Sequence, residues 1–271
     1  MTQSLKNNLL KTIVLGSLIA TVPLTALAQT AQEKGLAIAK ERKLRDTGWG
    51  SSEQNMLMIL RNAQGEESER EMRSKNLEVS NDGDKGLTVF DKPFDVKGTA
   101  FLSFSHINKP DDQWLYLPAL KRVKRIASRN KSGPFMGSEF AYEDLSSFEI
   151  AKYTFTHLRD EACPEQPDLQ CFVLESIPTD KYSGYTKQIA WIDQSDYRVQ
   201  KVDYFDRKKS LLKTLISSDF KLYKKKYWRP LTMTVTNHQT GKSTVLKTSE
   251  IKFDVGLTDK DFNKNTLKRI R

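Results

Sequence analysis

Between residues 51 and 253 the chain repeats one pattern: short segments of alternating apolar and polar residues, ended by turn formers about every 10 to 15 residues. In the first segment, Met56, Met58 and Leu60 fall on one face of a strand, and Leu57 and Ile59 on the other. Asn62-Ala63-Gln64-Gly65 reads as a turn, and the charged residues 66–76 as the return arm of a hairpin with one wet face. The same reading predicts strands at 87–91, 98–106, 113–117 and through the basic run ending at Ile126. After a loop at 128–134 it predicts them at 148–159, 171–177, 185–193, 197–205, 211–222, 227–237 and 244–253. Connections such as Asp206-Arg207-Lys208 and Gln239-Thr240-Gly241 are short, which favours hairpins over crossovers. The expected fold is α+β, built on one long antiparallel meander of about ten or eleven strands.

A sheet of that length must curl or be covered. Two segments are available as covers. Residues 29–45 carry helix formers and no proline, and Ala31, Leu36, Ile38 and Leu44 recur among charges, so they predict an amphipathic helix ending at Asp46-Thr47-Gly48-Trp49-Gly50. Residues 138–145 have helical character and predict a short helix across the sheet. A curled sheet lidded by helices encloses an apolar hollow, which serves as core or as ligand site.

Residues 1–28 have the parts of a secretory signal: Lys6 and Lys11, an apolar run over 12–24, and Ala26-Leu27-Ala28 as a small-residue cleavage site. The expected mature protein, residues 29–271, is one domain in the periplasm, with no later run able to span a bilayer. The whole chain has a formal net charge of +10, which favours anionic partners. For an exported protein these are lipid head groups or an acidic protein rather than nucleic acid. Cys163 and Cys171 predict a disulfide closing a surface loop in an oxidising compartment. Loop entropy gives such a bond about 2.5 kcal/mol.

Catalytic signatures are scarce. His106, His157 and His238 stand singly, and no nucleophile elbow, zinc motif, P-loop or dinucleotide fingerprint occurs. No enzyme activity, metal or cofactor is expected. Two other features carry weight. Lys121, Arg122, Lys124 and Arg125, with Arg129 and Lys131, form a basic run that reads either as a sheet edge guarded by charge or as a docking rim. Met56, Met58, Phe101, Trp114, Tyr116, Phe135, Met136, Phe140, Trp191, Tyr204 and Met233 supply adaptable apolar surface. Methionines and aromatics together suit a core or an acyl-chain site.

Three stretches make the reading specific: Pro93-Phe94 with Lys97-Gly98-Thr99-Ala100-Phe101-Leu102; residues 111–126, Asp-Asp-Gln-Trp-Leu-Tyr-Leu-Pro-Ala-Leu-Lys-Arg-Val-Lys-Arg-Ile; and Phe135-Met136-Gly137-Ser138-Glu139-Phe140 with Tyr142-Glu143-Asp144-Leu145. In them the chain resembles the LolA-like family of outer-membrane lipoprotein-sorting proteins, in its larger branch associated with RND-type exporters. The resemblance implies an unclosed, strongly curved antiparallel sheet (an unclosed β-barrel) with helices plugging the concave side. It also implies a noncatalytic cavity for the acyl chains of a lipid or lipoprotein, peripheral contact with membranes, and a shuttle from an inner-membrane exporter towards the outer membrane. The alternative expectation is a noncatalytic sensor or accessory subunit of an RND-type exporter.

Overall fold

The computed structural model describes residues 29–269; the expected signal segment, 1–28, lies outside them. Thirteen strands form one antiparallel sheet in the order β6-β5-β4-β3-β2-β1-β13-β12-β11-β10-β9-β8-β7. They are β1 Ser51–Arg61, β2 Glu67–Leu77, β3 Lys85–Lys92, β4 Ala100–Phe104, β5 Asp112–Leu117, β6 Arg122–Ile126 and β7 Tyr153–Cys163. The others are β8 Gln166–Pro178, β9 Tyr185–Asp193, β10 Val199–Asp206, β11 Leu211–Tyr223, β12 Tyr227–Asn237 and β13 Ser243–Phe253. Every neighbour in the sheet is a neighbour in sequence except β1 and β13, which pair at its middle. The meander is therefore confirmed, with thirteen strands rather than ten or eleven. Short, charged arms such as β6 pair over their full length, Arg122 with Leu117 through to Ile126 with Gln113.

This order leaves the sheet unclosed, and its two free edges are β6 and β7, which are consecutive in the chain. The connection between them, residues 127–152, has to cross the opening, and it does so over one face of the sheet. This inner face carries Met56, Met58, Met72, Phe90, Phe101 and Leu115 on one half, packed around Phe135 and Phe140 from the connection. The other half carries Phe155, Leu174, Ala190, Ile192, Val202 and Tyr204, packed against Ile38 and Ala39 of the helix. Leu215 of β11 joins the two clusters.

The helix α1, Ala31–Arg45, opens with a capping box: Glu33 N–H donates to Thr30 Oγ1 at 3.2 Å, and Thr30 N–H donates to Glu33 Oε2 at 2.9 Å. Gly35 lets it lie against β7. A Cβ there would stand 2.8 Å from the His157 nitrogen and 2.9 Å from that of Thr156, both backbone.

The second cover differs from the sequence reading. Residues 138–145 form no α-helix; Phe135–Gly137 and Tyr142–Leu145 are separate single 3-10 turns. Met136 at φ 51° and Gly137 at φ 79° interrupt any longer helix. The result is a wedge that inserts Phe135 and Phe140 into the sheet's inner face. Phe148 belongs to this connection too, since β7 begins only at Tyr153.

The outer face has its own covers. Phe262 and Leu267 of the C-terminal segment pack on Leu87, Val89, Ala100, Leu102 and Tyr116, with Trp114 and Val123 beside them. Cys163 and Cys171 are bonded, with Cα atoms 5.0 Å apart, and pack on Val173 and Trp191.

Candidate functional site: the inner-face hollow

The wedge and α1 fill only part of the inner face. Between them lie two adjoining cavities of about 470 and 590 Å³, within the usual range for ligand sites. Both are lined by Arg42 of α1, Asp144, Ser146, Ser147 and Phe148 of the connection, and Val199, Val202 and Tyr204 of β10. Leu215, Met233 and Ile251 extend the apolar wall of the larger cavity, and Leu174 and Ala190 that of the smaller.

A buried ion pair bolts the wedge to the sheet. Lys213 of β11 donates to Asp144 Oδ2 at 2.6 Å and to the Glu139 carbonyl at 2.7 Å, with side chains only 4% and 7% exposed. Asp144 also accepts from the Tyr185 hydroxyl at 2.8 Å and from Ala141 N–H at 2.7 Å, so both its oxygens are engaged. Asn237 donates to Glu139 Oε2 at 2.7 Å, and Gln113 donates from β5 to the Tyr142 carbonyl at 2.9 Å. The wedge is thus tied to both halves of the sheet.

Apolar surroundings show in the titrating groups. Burial pushes the Tyr153 hydroxyl up to about 12, and those of Tyr185 and Tyr204 well above their ordinary value. All three remain protonated donors at neutral pH. Burial likewise pushes the Asp84 carboxyl, at the rim of the larger cavity, up to about 6, against the attraction of Lys43. Outside the hollow the opposite holds: the His106 side chain and Ile107 N–H hold Asp82 down to about 2.

A folded-state value above the ordinary 3.8 means that Asp84 destabilises the fold increasingly as pH rises from about 4 to about 6. Asp84→Asn is therefore expected to stabilise by about 1–3 kcal/mol at pH 7, discounted for partial solvent contact. The gain should vanish near pH 4, which urea melts at the two pH values would show; a gain independent of pH would contradict the assignment.

The predicted site residues separate into three groups. Met56, Met58, Phe101, Phe135 and Phe140 are brought together in the inner-face core, with Met136 and Met233 packed against it. Of these seven only Met233 lines the hollow; the others fill the sheet beside it. Trp114 and Tyr116 must be moved to the outer face: Phe101 pairs with Leu115, and the alternation of β5 sends both of its neighbours the other way. Trp191 moves to the outer face for the same reason, packing on the disulfide. Lys121, Arg122, Lys124 and Arg125 lie exposed at the β6 edge and the turn before it, Arg125 pairing with Asp112 at 2.5 Å. Sequence reading missed Arg42, Asp144, Phe148 and Lys213, which come from three separate parts of the chain. Among the described residues no group of three or more His, Cys, Asp or Glu is placed to hold a metal ion.

A family model described as that of an uncharacterized protein matches residues 82–269. No curated protein matches. Among solved structures, an outer membrane lipoprotein-sorting protein domain from Vibrio parahaemolyticus is 65% identical, with a TM-score of 0.85 over 88% of this chain and 100% of that one. A DUF1329 family protein from Desulfovibrio piger is 27% identical, with a TM-score of 0.82 over 88% and 99%. A LolA superfamily protein from Nitrosomonas europaea, 23% identical with a TM-score of 0.67 over 88% and 99%, shares the fold. The chain belongs to the family of the Vibrio outer-membrane lipoprotein-sorting protein domain, and it has the fold of the LolA superfamily protein.

Proposed function

We propose that this protein is a noncatalytic periplasmic carrier, acting as one domain over residues 29–271, that holds acyl chains of a lipid or lipoprotein in the inner-face hollow. In this reading it takes its cargo from an inner-membrane exporter of the RND type and delivers it towards the outer membrane. The observation that carries it is the pair of adjoining cavities between α1 and the wedge, open on a sheet whose edges never close. Energy gives such a hollow its use. An acyl chain of about fifteen methylenes costs about 12 kcal/mol to expose to water, so crossing an aqueous compartment requires a cover. Native mass spectrometry of protein purified from its own periplasm should retain bound lipid, and the emptied protein should take up a fluorescent acyl probe. A protein that does neither is not a carrier.

One corner of the molecule suits membrane contact. Phe94 in the β3–β4 loop is 94% exposed and Leu120 in the β5–β6 turn 68% exposed. The two loops adjoin, since a Cβ on Gly98 would lie 3.4 Å from the Pro118 side chain. Lys97 and Lys121 stand in the same two loops, with Asp95 beside Phe94, and Arg122 and Lys124 follow in β6. Apolar tips flanked by cations bind anionic bilayers. Sedimentation with phosphatidylglycerol vesicles should fall several-fold in Phe94→Ala/Leu120→Ala, at about 1 kcal/mol or more per lost contact. Probe uptake should be unchanged; equal sedimentation of variant and parent would remove this contact from the account.

A further inference from the structure

The cations around the hollow are nearly all occupied. Lys43 pairs with Glu149 at 3.1 Å, Lys131 with Asp180 at 2.6 Å, Arg198 with Asp193 at 2.8 Å and Arg229 with Asp46 at 2.6 Å. Lys152 pairs with Asp111. Arg42 is different. It lines both cavities, yet among the described residues it makes no hydrogen bond and no salt bridge; its guanidinium lies 4.2 Å from the centre of the Phe148 ring. Asp46, the carboxylate that acts on it electrostatically, is already committed to Arg229. The lining carboxylates are committed as well: Asp144 to Lys213 and Tyr185, Glu143 to Ser183 and Gly184. Tyr204 lines both cavities too, and its hydroxyl, which makes no hydrogen bond among the described residues, keeps solvent contact.

A guanidinium offers five N–H donors and no acceptor, and it cannot shed its charge at physiological pH. Arg42 is half-buried and its nitrogens keep solvent contact, so its donors are free for an anion that enters the hollow and takes the place of water. The fold holds it there with a flat aromatic face behind it and open volume in front. We propose that Arg42, with Tyr204, is the receptor for the anionic phosphate of an acylated lipid whose chains run along Val202, Leu215 and Met233. This rests on the carrier reading and sharpens it: the cargo class becomes an anionic phospholipid rather than a lipoprotein's acylated terminus, which has no phosphate.

The test is binding of two acyl-labelled fluorescent lipids, phosphatidylglycerol and diacylglycerol, to the full mature chain, with inorganic phosphate as competitor. The wild type should bind phosphatidylglycerol about tenfold or more tightly than diacylglycerol, the difference expected for hydrogen bonds to a charged group. Arg42→Gln should abolish that preference while leaving diacylglycerol binding within about twofold, and Arg42→Lys should keep part of it. Since Arg42 makes no hydrogen bond or ion pair among the described residues and its guanidinium lies over the Phe148 ring, Arg42→Gln should lower stability by no more than that one contact. A preference that survives in Arg42→Gln overturns the site but leaves the carrier. Failure of the wild type to bind either lipid overturns both. Inorganic phosphate binding as tightly as phosphatidylglycerol overturns the assignment to a lipid, and a marked loss of stability in Arg42→Gln makes the residue structural.

Discussion

Phe135→Ala is expected to lower the free energy of unfolding by about 3–5 kcal/mol, the range for removing a buried aromatic ring from a packed core. The ring is 2% exposed and sits within 5.1 Å of Phe101, 5.8 Å of Phe90 and 5.7 Å of Tyr142, centre to centre. It belongs to an irregular connection, where a substitution would ordinarily be harmless, so a loss this large identifies the segment as the plug of the sheet. Urea unfolding followed by far-UV dichroism measures it. A loss below about 1 kcal/mol, the range of surface changes, would mean that the wedge is not packed as described.

The second large effect concerns the bolt. Lys213→Met should cost about 3–5 kcal/mol, because it leaves the Asp144 carboxylate buried without its cation. Adding Asp144→Asn should recover part of that loss, since the uncompensated charge is then gone. The coupling between the two sites comes out of the double-mutant cycle. Additive losses would show that the pair does not act as a unit. The wedge is also the wall of the hollow, so Lys213→Met should loosen lipid retention as well as the fold.

Much of this architecture could be read from the chain, and the failures have definite causes. Strand periodicity and turn chemistry located the segments that pair, from Met56, Met58 and Leu60 on β1 to the arms around Gly241. Helix α1 and the Cys163–Cys171 bond followed from composition and spacing. The faces were harder. In β5, Trp114, Leu115, Tyr116 and Leu117 are all apolar, because the sheet is covered on both sides there: by the wedge within, and by Phe262 and Leu267 without. With no polar residue to mark the wet side, alternation cannot say which residues look inward. Ile189 to Ile192 around Trp191 are ambiguous for the same reason, the disulfide hairpin covering their outer side. The hollow was least legible of all. Arg42, Asp144, Tyr204 and Lys213 come from a helix, a connection and two strands, and only the curl of the sheet brings them together.

The wedge also explains why residues 138–145 looked helical. Their apolar spacing reflects insertion into a pocket by two single turns, with Phe135 and Phe140 as the points of contact. The backbone closes on itself through the Pro134–Ala141 bridge and the Phe135 N–H to Phe140 carbonyl bond of 2.7 Å, an arrangement that periodicity does not distinguish from a short helix.

The central claim is that acyl chains occupy the space between α1 and the wedge, and filling that space tests it most directly. Val199 lines both cavities, is half-buried and packs at the margin of the helix-side cluster, so Val199→Trp places an indole in the hollow, and the melting curves show whether the cluster tolerates it. Uptake of a fluorescent diacyl lipid by wild type and variant, with melting curves to establish that both are folded, is the measurement. The account predicts one lipid bound per wild-type chain and at least about tenfold weaker binding in the folded variant, for a chain denied its buried methylenes at about 0.8 kcal/mol each. Undiminished uptake by a folded Val199→Trp would place the cargo elsewhere and contradict the account.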